Sequence, residues 1–116
     1  ALIQSKKILD SVEQFGFVHS SIQSAREKVR EELSELDAEV AADNSLNIFH
    51  ELGDVLLSCV GLAKQLKIHP EDALRAANGR FLKRFRALES CVHAEGKTLT
   101  ALTEEELLDY YERVKK

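Results

Sequence analysis

The chain has 116 residues, of which 44% are apolar and 31% charged, and its formal net charge is −4. This length and composition predict one compact domain over residues 1–116 and exclude a disordered tail. The negative charge argues against a nucleic-acid partner, and a polyphosphate ligand would need a bridging cation.

The residue types favour helices over strands. Only five glycines and one proline occur, and the frequent Ala, Leu, Glu, Lys and Arg residues lose little side-chain freedom in a helix. We therefore expect an all-α fold, a bundle of four to five helices. No unbroken apolar run reaches the roughly 20 residues that cross a bilayer, and the N-terminus lacks a signal-peptide pattern, so we expect a cytoplasmic protein without a membrane partner. Cys59 and Cys91 lie in apolar helical patterns and are expected to be buried.

The first elements are a short helix and a long amphipathic one. Residues 2–14 form a loosely helical pattern, which is interrupted by a turn around Gly16. From Ser20 to Val40, apolar residues recur at spacings of three and four, which is typical of one face of an amphipathic helix.

The polar stretch 41–47 predicts a turn in which Asn44 or Ser45 caps the next helix. That helix runs from about Leu46 to Leu66 and is apolar over too broad an arc to lie alone against solvent. It is therefore expected to be central, and its breadth is compatible with packing against a second subunit.

Two further helices complete the chain. Pro70 is a natural helix start and Gly96 a plausible end for the first of them. Thr103, followed three residues later by Glu106, has the form of a capping box and predicts a short final helix.

Two pairs of carboxylates lie beside the predicted core. On a helical wheel, Glu32 falls on the shoulder of the apolar stripe of the first long helix, with Glu35 one step further round. Glu31 points away from this stripe. On the next helix, Glu51 and Asp54 are three residues apart on one edge of a largely apolar surface.

Carboxylates that lie close together repel one another unless they are protonated, paired with bases or bound to a cation. Residues three apart on a helix face the same way, so Glu-x-x-Glu and Glu-x-x-Asp on antiparallel helices can surround a small ion with oxygen atoms. Mg²⁺ suits such a site. The alternative is that all four are solvated charges on helix faces, as most glutamates are.

Three segments stand in a characteristic order: EELSE at residues 31–35, ELGD at 51–54 and NGRFLKRF at 78–85. This ordered set resembles the MazG family of all-α nucleotide pyrophosphohydrolases, whose motifs are Glu-Glu-x-x-Glu, Glu-x-x-Asp and Asn-x-Lys-Phe-x-x-Arg-Phe. Arg80 stands in place of the usual Lys. The resemblance covers residues 14 to 115.

The resemblance implies Mg²⁺-dependent hydrolysis of nucleoside triphosphates to nucleoside monophosphate and pyrophosphate, with deoxynucleoside triphosphates or non-standard nucleotides among the candidate substrates. It also implies a homodimer or homotetramer. The implied Mg²⁺ ligands are Glu32, Glu35, Glu51 and Asp54. The implied phosphate contacts are Lys28, Asn78, Arg80 and Arg84.

Other roles follow from the same resemblance. Glu35 is the first candidate to orient or deprotonate the attacking water, and Glu31 is the second. Phe17 is a candidate to stack on the base, with plain packing as the alternative. Relatives often have Trp shortly after the Gly-Phe near the start of the domain and again near its end, where this chain has the stretch 16–19 and Tyr111. The base preference is therefore open.

Two alternatives remain at this stage. One is a narrower enzyme of related chemistry, a dUTP or phosphoribosyl-ATP pyrophosphohydrolase. The other is a non-catalytic dimerisation module, in which the helix from Leu46 to Leu66 forms the partner interface and the acidic residues only solubilise its rim. Lys83, Arg86 and His50 are expected to be surface residues.

Overall fold

The protein is described by a computed structural model that covers residues 1–115. No strand occurs in this range, and the all-α fold class predicted from the sequence is confirmed. Five α-helices and one 3₁₀ turn make up the regular structure of these residues. They are α1 (Leu2–Glu13), α2 (Ile22–Ala42), α3 (Ser45–Gln65), α4 (Pro70–Ala94), the 3₁₀ turn (Leu99–Ala101) and α5 (Glu104–Val114).

The chain divides into two compact units, the first comprising residues 1–73 and the second beginning at Leu74. The division falls within α4. The first unit contains α1, α2 and α3, and the second contains most of α4 together with α5. The single domain expected over the whole chain stays a prediction.

A two-residue turn joins α2 to α3. Asp43 ends α2 in the left-handed conformation, with φ of 55°, which Asp tolerates better than most residues. The Asn44 side chain then accepts a hydrogen bond from the Asn47 amide at 3.1 Å and caps α3. So short a connection makes the two helices antiparallel neighbours. The sequence correctly identified Asn44 as one of two candidate caps, but the predicted turn over residues 41–47 was too long.

The segment before α2 folds onto α3. Gly16 forms the predicted turn with φ of 81°, a conformation that costs glycine little. The Ser21 hydroxyl caps α2 by accepting from the Ser24 amide at 3.0 Å, so α2 begins two residues later than predicted. Within this unit, buried apolar residues come from α2, α3 and Pro70 at the start of α4, and none comes from α1.

The second unit has its own small core. Leu88, Val92 and Tyr110 are buried and pack with partly buried residues of the 3₁₀ turn and α5. The predicted capping box is confirmed: the Thr103 hydroxyl accepts from the Glu106 amide, and the Glu106 carboxylate accepts from the Thr103 amide.

Two expectations about apolar surfaces need correction. Cys59 and Cys91 are exposed in this chain and not buried, because each lies on the outward side of its helix. The helix α3 is also long and apolar enough to cross a membrane by length and mean hydropathy, and 17% of that window is buried. Glu51 and Asp54 interrupt this helix, so it contains no unbroken apolar run of that length. Two carboxylates in the middle of a span are costly in hydrocarbon, which favours burial of α3 against protein.

Candidate metal centre

Carboxylates from α2 and α3 meet in the first unit. Glu32, Glu51 and Asp54 each offer an oxygen atom, and these atoms lie within 4.8 Å of one another. Glu31, Glu32 and Glu35 form a second group under the same distance limit. Glu32 belongs to both groups, so it joins the acidic residues of the two helices.

Glu32 is the least solvated of these groups. It is 6% exposed, and its Oε1 atom accepts a hydrogen bond from Lys28 Nζ at 2.8 Å. The buried Oε2 atoms of Glu32 and Glu51 have no hydrogen-bond partner among the described residues. Buried oxygens of this kind nearly always have a partner in native proteins, so these two atoms point to a ligand.

The pKa values show the balance of charge in the cluster. The Lys28 ammonium holds the pKa of Glu32 below its usual value, although burial acts in the opposite direction. The adjacent Glu32 carboxylate raises the pKa of Glu35, and Glu51 contributes to the same repulsion. One lysine therefore offsets only part of the negative charge.

These observations fit a divalent cation. The available donors are carboxylate oxygens, which hard ions such as Mg²⁺ prefer. A cation among them would offset the repulsion and give the two buried oxygens a partner. The four predicted ligands belong to the two acidic groups, and Glu32 is the member that both groups have in common.

A cavity of about 480 Å³ has Glu32, Asp54 and Lys28 in its wall. Most of the remaining wall is apolar, with a few polar side chains at intervals. A cavity of this size and lining is typical of a small-molecule site. The other lining residues are Leu9, Gly16, Phe17, Val18, His19, Leu57, Ser58, Gly61, Lys64 and Gln65.

The structure places the remaining predicted residues as follows. Phe17 is in the cavity wall and 79% exposed. Glu31 is exposed, as expected, yet close to Glu32 and Glu35. His50 is exposed and packs edge-on against the Phe49 ring.

The predicted basic residues of α4 belong to the second unit. Asn78 and Arg80 are exposed and Arg84 is half-buried. Arg80 and Arg84 line a cavity of about 300 Å³. Lys83, expected to be only a surface residue, also lines it, and Arg86 is exposed as predicted.

Sequence reasoning missed part of the cavity wall. Ser58, Gly61 and Gln65 follow Asp54 at spacings of four, three and four, which puts them on the same face of α3. The sequence feature that indicates these lining residues is the helical spacing of small or polar residues in an otherwise apolar helix. Lys64 shares this helical spacing, since it follows Gly61 by three residues, but its ion pairs and the position of His19 depend on the fold of the N-terminal segment.

The protein-family model of the MazG nucleotide pyrophosphohydrolase domain matches residues 20–86 of this chain. The chain belongs to the MazG family. The matched segment contains all four candidate metal ligands and the basic segment of α4, so the MazG assignment rests on the same residues as the site.

Two proteins resemble this MazG-family chain over nearly its whole length. The nucleoside triphosphate pyrophosphohydrolase/pyrophosphatase MazG of Thermotoga maritima is 35% identical over 115 residues, which cover 99% of this chain and 44% of that protein. The nucleoside triphosphate pyrophosphohydrolase of Escherichia coli is 32% identical over 118 residues, which cover 100% of this chain and 45% of that protein. The chain thus spans less than half the length of these two relatives.

Proposed function

We propose that the protein hydrolyses nucleoside triphosphates to nucleoside monophosphate and pyrophosphate with the help of Mg²⁺. The observation that carries this proposal is the meeting of Glu32, Glu51 and Asp54 oxygens within 4.8 Å of one another beside a cavity. The relatives from Thermotoga maritima and Escherichia coli, both named as nucleoside triphosphate pyrophosphohydrolases, support the same reaction.

The proposed Mg²⁺ ligands are Glu32, Glu35, Glu51 and Asp54. When bound, the ion would neutralise charge on the triphosphate and on the departing pyrophosphate. Lys28 already pairs with Glu32 at 2.8 Å, and we propose that its ammonium turns to a phosphate oxygen when substrate is present. The further proposed phosphate contacts are Asn78, Arg80 and Arg84.

In the proposed reaction, water attacks the α-phosphorus and the bond between that phosphorus and the α,β-bridging oxygen breaks. Glu35 is the proposed group that orients the water and accepts its proton, because its carboxylate lies beside Glu32 in the second acidic group. Glu31 is the second candidate, since it lies in the same acidic group.

The cavity is the proposed place of the nucleoside. Its apolar wall suits a base and a sugar, and Phe17 offers a ring on which a base can stack. The triphosphate would then extend toward Glu32 and Asp54, which share the wall with Phe17.

A homodimer or homotetramer is part of the proposal. In the single chain, α3 exposes 74% of Phe49, 48% of Leu52 and 56% of Leu56. Such a run of exposed apolar side chains is typical of a protein interface. We further propose that the protein acts in the cytoplasm without nucleic-acid or membrane partners, in line with its acidic charge.

The test is incubation with a panel of ribo- and deoxynucleoside triphosphates and Mg²⁺ in H₂¹⁸O. We expect monophosphate and pyrophosphate, with ¹⁸O in the monophosphate, because water attacks the α-phosphorus. Release of orthophosphate would contradict the proposed bond cleavage. Activity confined to dUTP or to phosphoribosyl-ATP would select the narrower enzyme, and no hydrolysis would favour a dimerisation module, which the exposed face of α3 also suits.

The variant Asp54→Asn removes one charge from the site without changing the side-chain size. We expect turnover to fall by roughly 100-fold or more, with helicity by circular dichroism unchanged. Asp37→Asn is the matched control, because Asp37 is exposed on α2 and lies outside both acidic groups. Full activity of Asp54→Asn would remove Asp54 from the ligand set.

A further inference from the structure

Neighbouring residues near the end of α3 hold the N-terminal segment. Lys64 Nζ forms ion pairs with both Asp10 and Glu13 of α1. The adjacent Gln65 donates from Nε2 to the main-chain oxygen of His19 at 2.8 Å. Two consecutive side chains of α3 thus fasten α1 and the loop that follows it.

The contact made by Lys64 is a network and not an isolated surface pair. The Lys64 side chain is only 18% exposed, and the second oxygen of Asp10 accepts from Lys6 Nζ at 2.8 Å. Hydrogen bonds from Lys6 and Lys64 lower the pKa of Asp10 to about 2. Partly buried networks of this kind are stronger than single exposed ion pairs.

The apolar packing of α1 is partial. Leu2, Leu9 and Val12 are half-buried, and no residue of α1 is fully buried. Helices are normally fixed by the packing of an apolar face. Because this packing is incomplete in α1, we expect its position on α3 to depend also on the ion pairs of Lys64.

The fastened segment is also a wall of the cavity. Leu9 of α1 and the loop residues 16–19 line the cavity together with Asp54 and Glu32. Lys64 itself lies in the lining, but its charge is offset by two carboxylates. It is therefore poorly suited to bind a phosphate and well suited to hold the wall.

We infer that Lys64 is a positioning residue: by pairing with Asp10 and Glu13 it holds α1 and the loop 16–19 as the wall against which the nucleoside of the substrate binds. This inference rests on the proposed function, because it takes the cavity as the nucleoside site. Loss of the ion pairs would leave the acidic cluster of α2 and α3 intact while reducing the fraction of molecules with a formed cavity.

The first test is steady-state kinetics of Lys64→Met with the best triphosphate of the panel. If the formed wall is populated in about a tenth of the molecules, KM rises about tenfold while kcat stays within twofold. Lys64→Arg, which keeps the charge, should restore most of the wild-type KM. Lys7→Gln, at an exposed position of α1, is the control and should leave both constants unchanged.

Removing the charges of the two carboxylates that pair with Lys64 should give the same result. The double variant Asp10→Asn and Glu13→Gln keeps the size of both side chains, and we expect it to raise KM as Lys64→Met does. A fall in kcat at constant KM in either variant would overturn the inference, because it would show a role in the chemical step. An unchanged KM would overturn it as well.

Amide hydrogen exchange supplies a readout that needs no turnover. In Lys64→Met without nucleotide, residues 2–19 should exchange about tenfold faster, whereas the facing parts of α2 and α3 should keep their protection. Unchanged exchange in residues 2–19 would overturn the inference. If the wild-type protein hydrolysed no triphosphate, the proposed function would fail, and the exchange data would still decide whether Lys64 holds α1.

Discussion

Glu32 is the most buried carboxylate of the candidate site. It is nearly buried, belongs to both acidic groups, and has one oxygen paired with Lys28 and another without a hydrogen-bond partner among the described residues. A buried carboxylate near other carboxylates is costly unless its charge is compensated. It follows that Lys28 supports the fold when no cation is bound.

We expect Lys28→Met to lower the free energy of unfolding of the metal-free protein by about 1 kcal/mol at pH 7. A lost hydrogen bond to a charged group costs somewhat more in general, but Lys28 is 40% exposed and partly screened by solvent. Urea unfolding in the presence of EDTA measures the loss. Lys7→Met, at an exposed position of α1, is the control.

The same variant should show a defined pH dependence. Lys28 lowers the pKa of Glu32 from 4.5, so its contribution is present above pH 4.5 and is lost as the pH falls through the lowered value. The difference between wild type and Lys28→Met should therefore shrink as the pH falls below 4.5. An equal difference at pH 7 and below pH 4 would show that Lys28 acts by packing alone.

The acidic residues could be predicted from the sequence because their spacing is a local property of a helix. Glu32 and Glu51 stand out as charged residues beside apolar stripes, and the structure brings them together. The roles of Lys64 and His19 could not be predicted, because they depend on how α1 and its loop fold back onto α3. The exposure of Cys59 was missed for a similar reason, since an apolar sequence pattern does not show which side of α3 the chain itself covers.

At the scale of elements, helix bounds were predictable where caps and periodicity agree. The predicted helix from Leu46 to Leu66 is observed as Ser45–Gln65. The turn before it was predicted too long, because the left-handed conformation of Asp43 lets α2 continue through Ala42. That conformation has no clear sequence signal when the residue is not glycine.

The capping box of α5 offers a test at this scale. The Thr103 hydroxyl accepts from the Glu106 amide at 3.2 Å, and Thr103→Ala should lower the free energy of unfolding by about 1 kcal/mol. Thr98→Ala is a matched control, because Thr98 precedes the 3₁₀ turn without a side-chain capping bond. Urea unfolding followed by circular dichroism compares the two, and equal effects would contradict the account.

The stabilisation by the capping box depends on pH through Glu106. Its hydrogen bond with the Thr103 main chain lowers the pKa of the Glu106 carboxyl below 4.5. The stabilisation is thus present above pH 4.5 and is lost as the pH falls through the lowered value. Glu106→Gln should flatten that part of the pH profile of stability.

At the scale of the whole molecule, the sequence could not establish an oligomeric state. It predicted a broad apolar arc on α3, and the structure shows that Phe49, Leu52 and Leu56 of this arc are exposed in the single chain. A chain with so few buried apolar residues gains much from a second subunit. The arc is a pattern along one helix, whereas the number and symmetry of subunits depend on surfaces from several elements.

We expect the wild-type protein to sediment as a dimer or tetramer and Leu56→Glu to sediment as a monomer, because a charge would be buried in the interface. Analytical ultracentrifugation measures both. Leu108→Glu is the control, since Leu108 of α5 is 57% exposed, close to the 56% of Leu56. Wild-type protein that sediments as a monomer would remove the proposed interface.

The account depends above all on one divalent cation shared by carboxylates of α2 and α3. Electron paramagnetic resonance with Mn²⁺, which takes the same oxygen ligands as Mg²⁺, measures this directly through the signal of the free ion. We predict that wild-type protein and Asp37→Asn reduce the free signal saturably, that Mg²⁺ restores it by competition, and that Asp54→Asn binds far more weakly. A free Mn²⁺ signal unchanged by wild-type protein, or equal binding by Asp54→Asn, would contradict the account.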